Sequence, residues 1–331
     1  MRVAVVWNHD NSGVINRFGK PRTEFDNRET VESVMAALQE SGHETLLCEG
    51  DKGLLTRLER FMPPDAQARP SGMVFNMAYG IQGECHSSHV PAMLEMAGVP
   101  YTGSSPLGHG LALDKVTTKR LIRDGGVPTP NFRVMRHGTE SADDLRFPVV
   151  VKPRHESNSL GLQLVHEPAQ LRQAVEVIVT QYAQDALVEE YIEGREICVA
   201  LLGNGEPEVL PLVEQDFGDR ETRLMTWEAK NIAVAAPQKI CPAQIGSNLA
   251  TILRNISVAA FRACQCRDYA RVDLRIDRGG QTFVLEINSM PGLSTTSSYG
   301  LAATTTGHSF SSLVNRILAI AHTRYFGIGI P

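Results

Sequence analysis

Residues 269–298, YARVDLRIDRGGQTFVLEINSMPGLSTTSS, hold two alternating runs separated by Arg278-Gly279-Gly280, and they decide how the rest of the chain is read. Glycines between two alternating runs signal a β-hairpin. Side chains on a strand repeat every second residue, so Val272, Leu274 and Ile276 share one face of the first run while Arg271, Asp273, Arg275 and Asp277 share the other. In the second run Phe283, Leu285 and Ile287 are expected on one face, with Glu286 and Asn288 on the opposite one. A two-residue loop at Gly279-Gly280 sets Asp273 opposite Glu286 and Arg271 opposite Asn288. Facing carboxylates repel, which makes sense if a cation sits between them. Asp273, Glu286 and Asn288 offer oxygen only, a set suited to magnesium or manganese rather than zinc. The competing reading is a solvated charged face of an ordinary hairpin; the opposed acids and the Pro-Gly-Ser/Thr loop that follows favour the metal.

Composition bounds the alternatives. The chain of 331 residues has room for two or three compact units. A net charge of −5 gives no nucleic-acid or anionic-membrane surface, and no apolar run approaches membrane-spanning length. The opening MRVAVVWNHD is too short an apolar run for a signal peptide and reads as a first strand. Six scattered cysteines without zinc-site spacing read as reduced thiols of a cytoplasmic protein.

Residues 1–105 alternate strand and helix: RVAVVW, a helix over 28–40 with Val31, Val34, Met35 and Leu38 on one stripe, GMVFNMAYG, and the helix HVPAMLEMAG. This is an open α/β unit with parallel strands, and the absence of GxGxxG after its first strand removes support for a nicotinamide-type site. The Gly/Ser/Pro-rich GSSPLGHG marks the first boundary; a helix LALDKVTTKRLIRDGG and the extended VPTP follow. A central unit, 106–187, carries FPVVVKP, the loop RHESNSLG, LQLVH and the helix PAQLRQAVEVIVTQY; a C-terminal unit covers 188–331. The segment ALVEEYIEG is expected to be one strand, with later helices near 247–264 and 310–323.

Singly, the polar candidates are modest. Lys152, at a strand end before a loop of small residues, is a plausible phosphate clamp, although a surface lysine there is commoner. Glu189, Glu190, Glu193 and Glu196 could hold ribose hydroxyls beside a backbone able to pair with a purine edge, yet read alone they are a charged strand end. Lys115 reads most simply as a helix-surface lysine. No nucleophile elbow of the GxSxG kind occurs.

Their order is specific. LALDK (111–115), VVVKP (149–153), ESNSLG (156–161), VEEYIEGRE (188–196), WEAK (227–230), RVDLRID (271–277) and LEINSMPGLSTTSS (285–298) together resemble the ATP-grasp ligases of the D-alanine–D-alanine ligase family. GMVFNMAYGIQGE and MLEMAGVPYTGS resemble that family's N-terminal domain, so the likeness spans nearly the whole chain.

The resemblance implies an α/β, overall α+β, ATP-grasp fold: an N-terminal open parallel unit and two units that clamp ATP. It implies an ADP-forming ligase that joins a carboxylate to an amine through an acyl phosphate, using ATP and magnesium, as a homodimer. Lys115 and Lys152 resemble the lysines that hold ATP phosphates. Glu189 and Glu196 resemble the ribose- and adenine-side acids, Glu190 and Ile192 the backbone meeting adenine, and Lys230 a γ-phosphate contact. Asp273, Glu286 and Asn288 match the magnesium ligands, Arg271 the arginine that steadies the tetrahedral intermediate, Ser297 a contact to the second substrate's carboxylate, and Glu84 a contact to the first amino acid. The likeness breaks after the first strand, where Trp7 to Gly13 lack the family's Gly-Gly-x-Ser-x-Glu loop and only Glu24 or Glu29 could replace its glutamate. Tyr79, Asn158, Asn231 and Thr296 also stand where the family carries His, Ser, Tyr and His. The phosphate and metal positions are thus kept while amino-acid positions change. Two further readings compete: a ligase of the same family acting on other acids in specialised metabolism, and an ATP-binding protein or carboxylate kinase that forms no amide.

Overall fold

The computed structural model describes residues 1–23, 27–220, 223–224 and 237–327. Three sheets carry the architecture. The first is parallel, in the order β2-β1-β3, from β1 (Arg2–Trp7), β2 (Glu44–Glu49) and β3 (Gly72–Asn76). Its crossovers are α1 (Arg28–Glu40) and α2 (Leu54–Phe61), and α3 (His89–Met96) follows β3. Asn27 caps α1 by accepting from the Glu29 N–H, and Val31, Val34 and Leu38 of its stripe are buried as the spacing requires, while Met35 is only partly covered.

The single helix expected over 111–126 is two. α4 (Pro106–Leu113) and α5 (Lys115–Asp124) meet at Asp114, whose extended backbone ends one helix and whose carboxylate caps the next by accepting from the Val116 and Thr117 N–H groups. The break turns Lys115 inward, so the surface reading of that lysine is corrected: it is buried.

The central sheet is antiparallel, in the order β4-β7-β5-β6, from β4 (Phe132–Met135), β5 (Val149–Pro153), β6 (Gln163–Val165) and β7 (Ala186–Glu190), with α6 (Pro168–Tyr182) packed on it. The strand expected over 186–194 stops at Glu190 and a new one begins at Gly194. Residues of β7 through Glu190 pair with β4 and β5, so a boundary between 187 and 188 would split a ladder. We therefore place it after Glu190.

The third sheet has six strands in the order β11-β10-β8-β12-β13, with β9 on the flank of β8. They are β8 (Gly194–Leu202), β9 (Glu208–Val209), β10 (Val213–Asp216), β11 (Gln238–Ile240), β12 (Tyr269–Asp277) and β13 (Thr282–Asn288). One face, with Val199, Val272, Leu274, Val284 and Ile287, packs on α7 (Ser247–Ala263). The other face begins as core, where Leu202, Ala200 and Tyr269 meet the parallel sheet, α8 (Ser298–Thr305) and α9 (Phe310–Phe326). Farther along the same face the residues turn polar, with Glu196 on β8 and Arg271, Asp273 and Arg275 on β12. One sheet surface is thus core at one end and the floor of a site at the other.

The hairpin differs from expectation in two ways that cancel. The loop is Arg278-Gly279-Gly280, three residues long, closed by the Asp277 N–H donating to the Gln281 carbonyl, with Gly280 at φ +83° where a side chain would be strained. Leu274 consequently pairs with Val284, one residue short of the expected partner. An irregularity between Asp273 and Leu274 leaves Leu285 as an extra residue, and the ladder resumes with Asp273 opposite Glu286 and Arg271 opposite Asn288. The acid pair stands as expected, whereas the core face does not: Val284 and Ile287 are buried, and Phe283 and Leu285 are only partly covered. All six cysteines are unpaired. Among the described residues no helix is long and apolar enough to cross a membrane.

Candidate active site

A cavity of about 590 Å³ lies between the central and the six-stranded sheets, and it gathers Lys115, Lys152, Glu196, Arg271, Asp273, Glu286, Asn288 and Ser297. Each comes from an element end or from the polar stretch of the sheet face described above. Lys115 opens α5, where the Asp114 cap fixes it; its ammonium donates to the Glu156 carbonyl and lies 3.6 Å from Glu286. Arg271 and Asp273, two apart on one strand, form a fork with both nitrogen–oxygen distances at 2.7 Å. Burial works against the Arg271 charge, but Asp273 overrides it and holds the guanidinium above its ordinary range. Each opposed acid therefore has its own cation: Arg271 on Asp273 and Lys115 on Glu286.

The donor set suits a hard divalent cation. The Leu285 bulge leaves both carboxylates on the cavity side, and the side-chain amide oxygen Oδ1 of Asn288 accepts from the Met290 N–H at 3.1 Å and keeps a second lone pair for a cation. Among the described residues no three His, Cys, Asp or Glu side chains gather as a metal group; the set here is two acids and an amide.

Four other expected residues, Glu84, Glu189, Glu190 and Ile192, do not line this cavity. Glu189 lies behind the cavity wall, 3% exposed, with Lys119 2.6 Å from one oxygen and Lys152 on the other. Burial pushes the Glu189 carboxyl up, but the two lysines prevail and hold it below its usual range. Burial also pulls Lys119 down to about 8, and Lys152 is raised despite its burial because Glu189 faces it. The Ile192 carbonyl accepts from Arg275 at 2.8 Å, and the Glu190 side chain turns to Arg146 and Asn131. Glu84 lines a separate cavity of about 280 Å³ that shares His86 and Glu156 with the main one. Ser297 caps α8: its hydroxyl accepts from the Gly300 N–H and donates to the Ser294 carbonyl. Tyr79 lines the cavity and donates to the Met290 carbonyl at 3.2 Å. Glu29 is exposed in the first turn of α1, and Glu24, Lys230 and Asn231 lie outside the described residues.

Sequence reasoning missed four residues. Lys119, fully buried, follows Lys115 by one helical turn, a spacing that was open to notice. Glu156 was read only as part of a loop; its carboxylate accepts from Lys20, from Thr23 at 2.8 Å and from Gln184 at 2.7 Å, anchoring that loop to the segment after β1. Asn158 and Ser159 beyond it both lie in the left-handed region, at φ 56° and 58°. His109, completely buried, meets the Ser289 hydroxyl at 2.8 Å, and burial lowers its pKa to about 4. Gln215 donates to the Ser298 hydroxyl at 2.8 Å in the cavity wall. Nothing in the sequence pattern singled out the last two.

Antiparallel sheets enclosing a cleft, with lysines on one wall and opposed acids on the other, define an ATP-grasp architecture. The chain matches the crystal structure of D-alanine–D-alanine ligase from Bacillus anthracis complexed with ATP at a TM-score of 0.75, covering 98% of both chains at 21% identity. Residues 121–319 match the family described as the D-ala D-ala ligase C-terminus. The D-alanine–D-alanine ligase of Carboxydothermus hydrogenoformans is 31% identical over 301 residues, 88% of this chain and 92% of that one. An uncharacterized protein of Sinorhizobium fredii, y4sG, is 72% identical over 334 residues, 100% of this chain and 99% of that one. The chain belongs to the D-alanine–D-alanine ligase family, whose members are ATP-dependent ligases forming carbon–nitrogen bonds.

Proposed function

We propose that the protein joins an amino-acid carboxylate to an amine with conversion of ATP to ADP and phosphate. The observation that carries the reading is the joint placement of Lys115, Lys152 and the opposed Asp273 and Glu286 around one cavity. In this scheme a carboxylate oxygen of the first substrate attacks the γ-phosphorus of ATP, and ADP leaves. The amine then attacks the acyl carbon, phosphate departs, and the amine's proton is lost to form the amide. Lys115 and Lys152 draw the phosphates and offset the charge that builds on their oxygens. Arg271 exchanges its bond to Asp273 for the oxyanion of the tetrahedral intermediate. Asp273, Glu286 and Asn288 hold magnesium or manganese, which when bound supplies positive charge at the phosphate oxygens. An acyl phosphate must be kept from water, so the central unit and the 154–161 loop close as a lid.

Tyr79, Asn158 and Thr296 border the same cavity, and they are where this chain leaves its family's pattern. That supports a pocket re-cut for its amino acids rather than a change of reaction. The same proposal includes ATP as the nucleotide, a cytoplasmic homodimer, and small carboxylates and amines as the only partners. The deciding experiment is phosphate release with ATP and magnesium over a grid of D- and L-amino acids, with products identified by mass. Amine-dependent release with an amide product is expected. Release without amine would mean a carboxylate kinase, and nucleotide binding with no release on any pair would refute ligation.

A further inference from the structure

Lys152, which the ligase scheme sets against phosphate, is the front of a block of three charges whose other two members, Glu189 and Lys119, lie behind the cavity and have no part in that scheme. Glu189 is gripped by Lys119 at 2.6 Å on one oxygen and by Lys152 on the other. The three residues are 0%, 3% and 7% exposed in the order Lys119, Glu189, Lys152, and of the three only Lys152 borders the cavity. A carboxylate paired with one lysine is neutral, and a lysine neutralised at that range presents little field to an anion. The second lysine changes the sum to +1. Lys119 is held in that place from three sides: by Glu189, by the Thr129 hydroxyl, which accepts from it at 2.7 Å, and by the Phe132 ring 5.8 Å away. The Thr129 hydroxyl in turn donates to the Val284 carbonyl of β13, so the block is fixed to the strand that carries Glu286. Fully buried lysines are rare without a specific partner, and one sharing its partner with a second lysine is a costly arrangement unless the net charge is used.

We propose that Lys119 is a positioning residue that keeps the Lys152–Glu189 pair from being electrically neutral, so that Lys152 meets phosphate with an unspent charge. It touches neither nucleotide nor substrate. Because water is excluded around it, its charge reaches the cavity with little screening. The inference rests on Lys152 facing the nucleotide phosphates, and the experiment separates the two.

ATP affinity is measured by calorimetry with magnesium and no amino acid, alongside thermal melts, for the wild-type chain, Lys152→Met, Lys119→Met, Lys119→Arg and the double variant Lys119→Met with Glu189→Gln. Lys152→Met weakens ATP binding; if it does not, the phosphate reading of Lys152 is wrong. Lys119→Met weakens binding roughly tenfold, the size expected for one charge acting over about 10 Å at an effective dielectric constant of about 20, and Lys119→Arg stays near wild type. In the double variant no carboxylate remains to neutralise Lys152, and affinity returns. A purely structural Lys119 gives no such recovery. Wild-type affinity in Lys119→Met beside a weakened Lys152→Met overturns the proposal, as does a folded double variant that stays weak. Should Lys119→Met fail to fold, the double variant, which buries one fewer charge of each sign, decides alone.

Discussion

Replacing Glu156 with alanine should loosen the lid without unfolding the protein. The carboxylate is 7% exposed and accepts from three donors: Lys20 and Thr23 in the segment after β1, and Gln184 beyond α6. Two of these contacts tie the central unit to the N-terminal one. The Lys20 side chain is 30% exposed, so its ion pair counts for about 1 kcal/mol after screening, and the two neutral donors to a buried carboxylate add about 1 kcal/mol each. The Lys20 and Thr23 contacts, which span the two units, amount to about 2 kcal/mol, roughly a 30-fold shift toward the undocked state. Amide hydrogen exchange read by mass spectrometry should show this as faster exchange in peptides covering 17–23 and 154–162. The α5 amides should be unchanged, because Lys115 holds the Glu156 backbone carbonyl, which the substitution keeps. The pH dependence has a defined sign. Burial works to raise the Glu156 carboxyl, but the bonds from Lys20, Thr23 and Gln184 hold it below the ordinary glutamate range. The docking energy is therefore fully present above the unfolded value, about 4.3, and is lost as pH falls through the lowered folded value. Unchanged exchange in both peptides, or a uniform rise across the chain, would refute the latch.

Further outcomes can be checked directly. Asp273→Asn should abolish phosphate release while the melting temperature stays within a few degrees, since the amide keeps one bond to Arg271 and the strand pairing is unaffected; full activity would sink the metal assignment. Gly300→Ala should cost about 2–3 kcal/mol in a denaturant melt, because its Cβ would sit 2.1 Å from the Ser294 carbonyl oxygen and push the 290–297 loop off α8. Burial works to raise Asp114, but bonds from His155, Arg154 and Thr117 hold its carboxyl far below its usual range. Its cap on α5 should therefore survive mild acid, with α5 amide protection persisting at pH values where that of the Glu156 docking segment has begun to fall.

What the sequence disclosed follows from the physics of periodicity. The hairpin, its acid pair and the α1 stripe were legible because alternation and helical spacing put like residues on like faces. β2 and α2 went unread because ETLLCE is mostly half-covered and does not alternate, and because LLTRLERF spans only eight residues. Asp114 was read as part of a helix because a cap and a helix-surface acid look alike until the backbone turns. Lys115 and Lys119 share a face at helical spacing, but lysine is so commonly exposed that the face was assigned to solvent. Glu189 belongs with them: its partners lie on another strand and another helix, a relation local pattern cannot carry. Substrate positions were least legible of all, since the polar side chains lining the cavity come from segments that only the fold brings together.

The extra residue at Leu285 has a consequence for how this hairpin tolerates change. It sits between the turn and the acids and takes up one residue of slack, so the spacing of Asp273 and Glu286 does not depend on the length of the loop. If one residue were removed from Arg278 to Gly280, the ladder could run unbroken, Leu274 would align with Leu285, and the carboxylates would still face each other. The cost would fall on Phe283, Val284 and Leu285, which would change faces, Val284 leaving the core and Phe283 and Leu285 entering it. A one-residue shortening of the turn would thus be absorbed by a single displaced leucine, and the acid pair would keep its register.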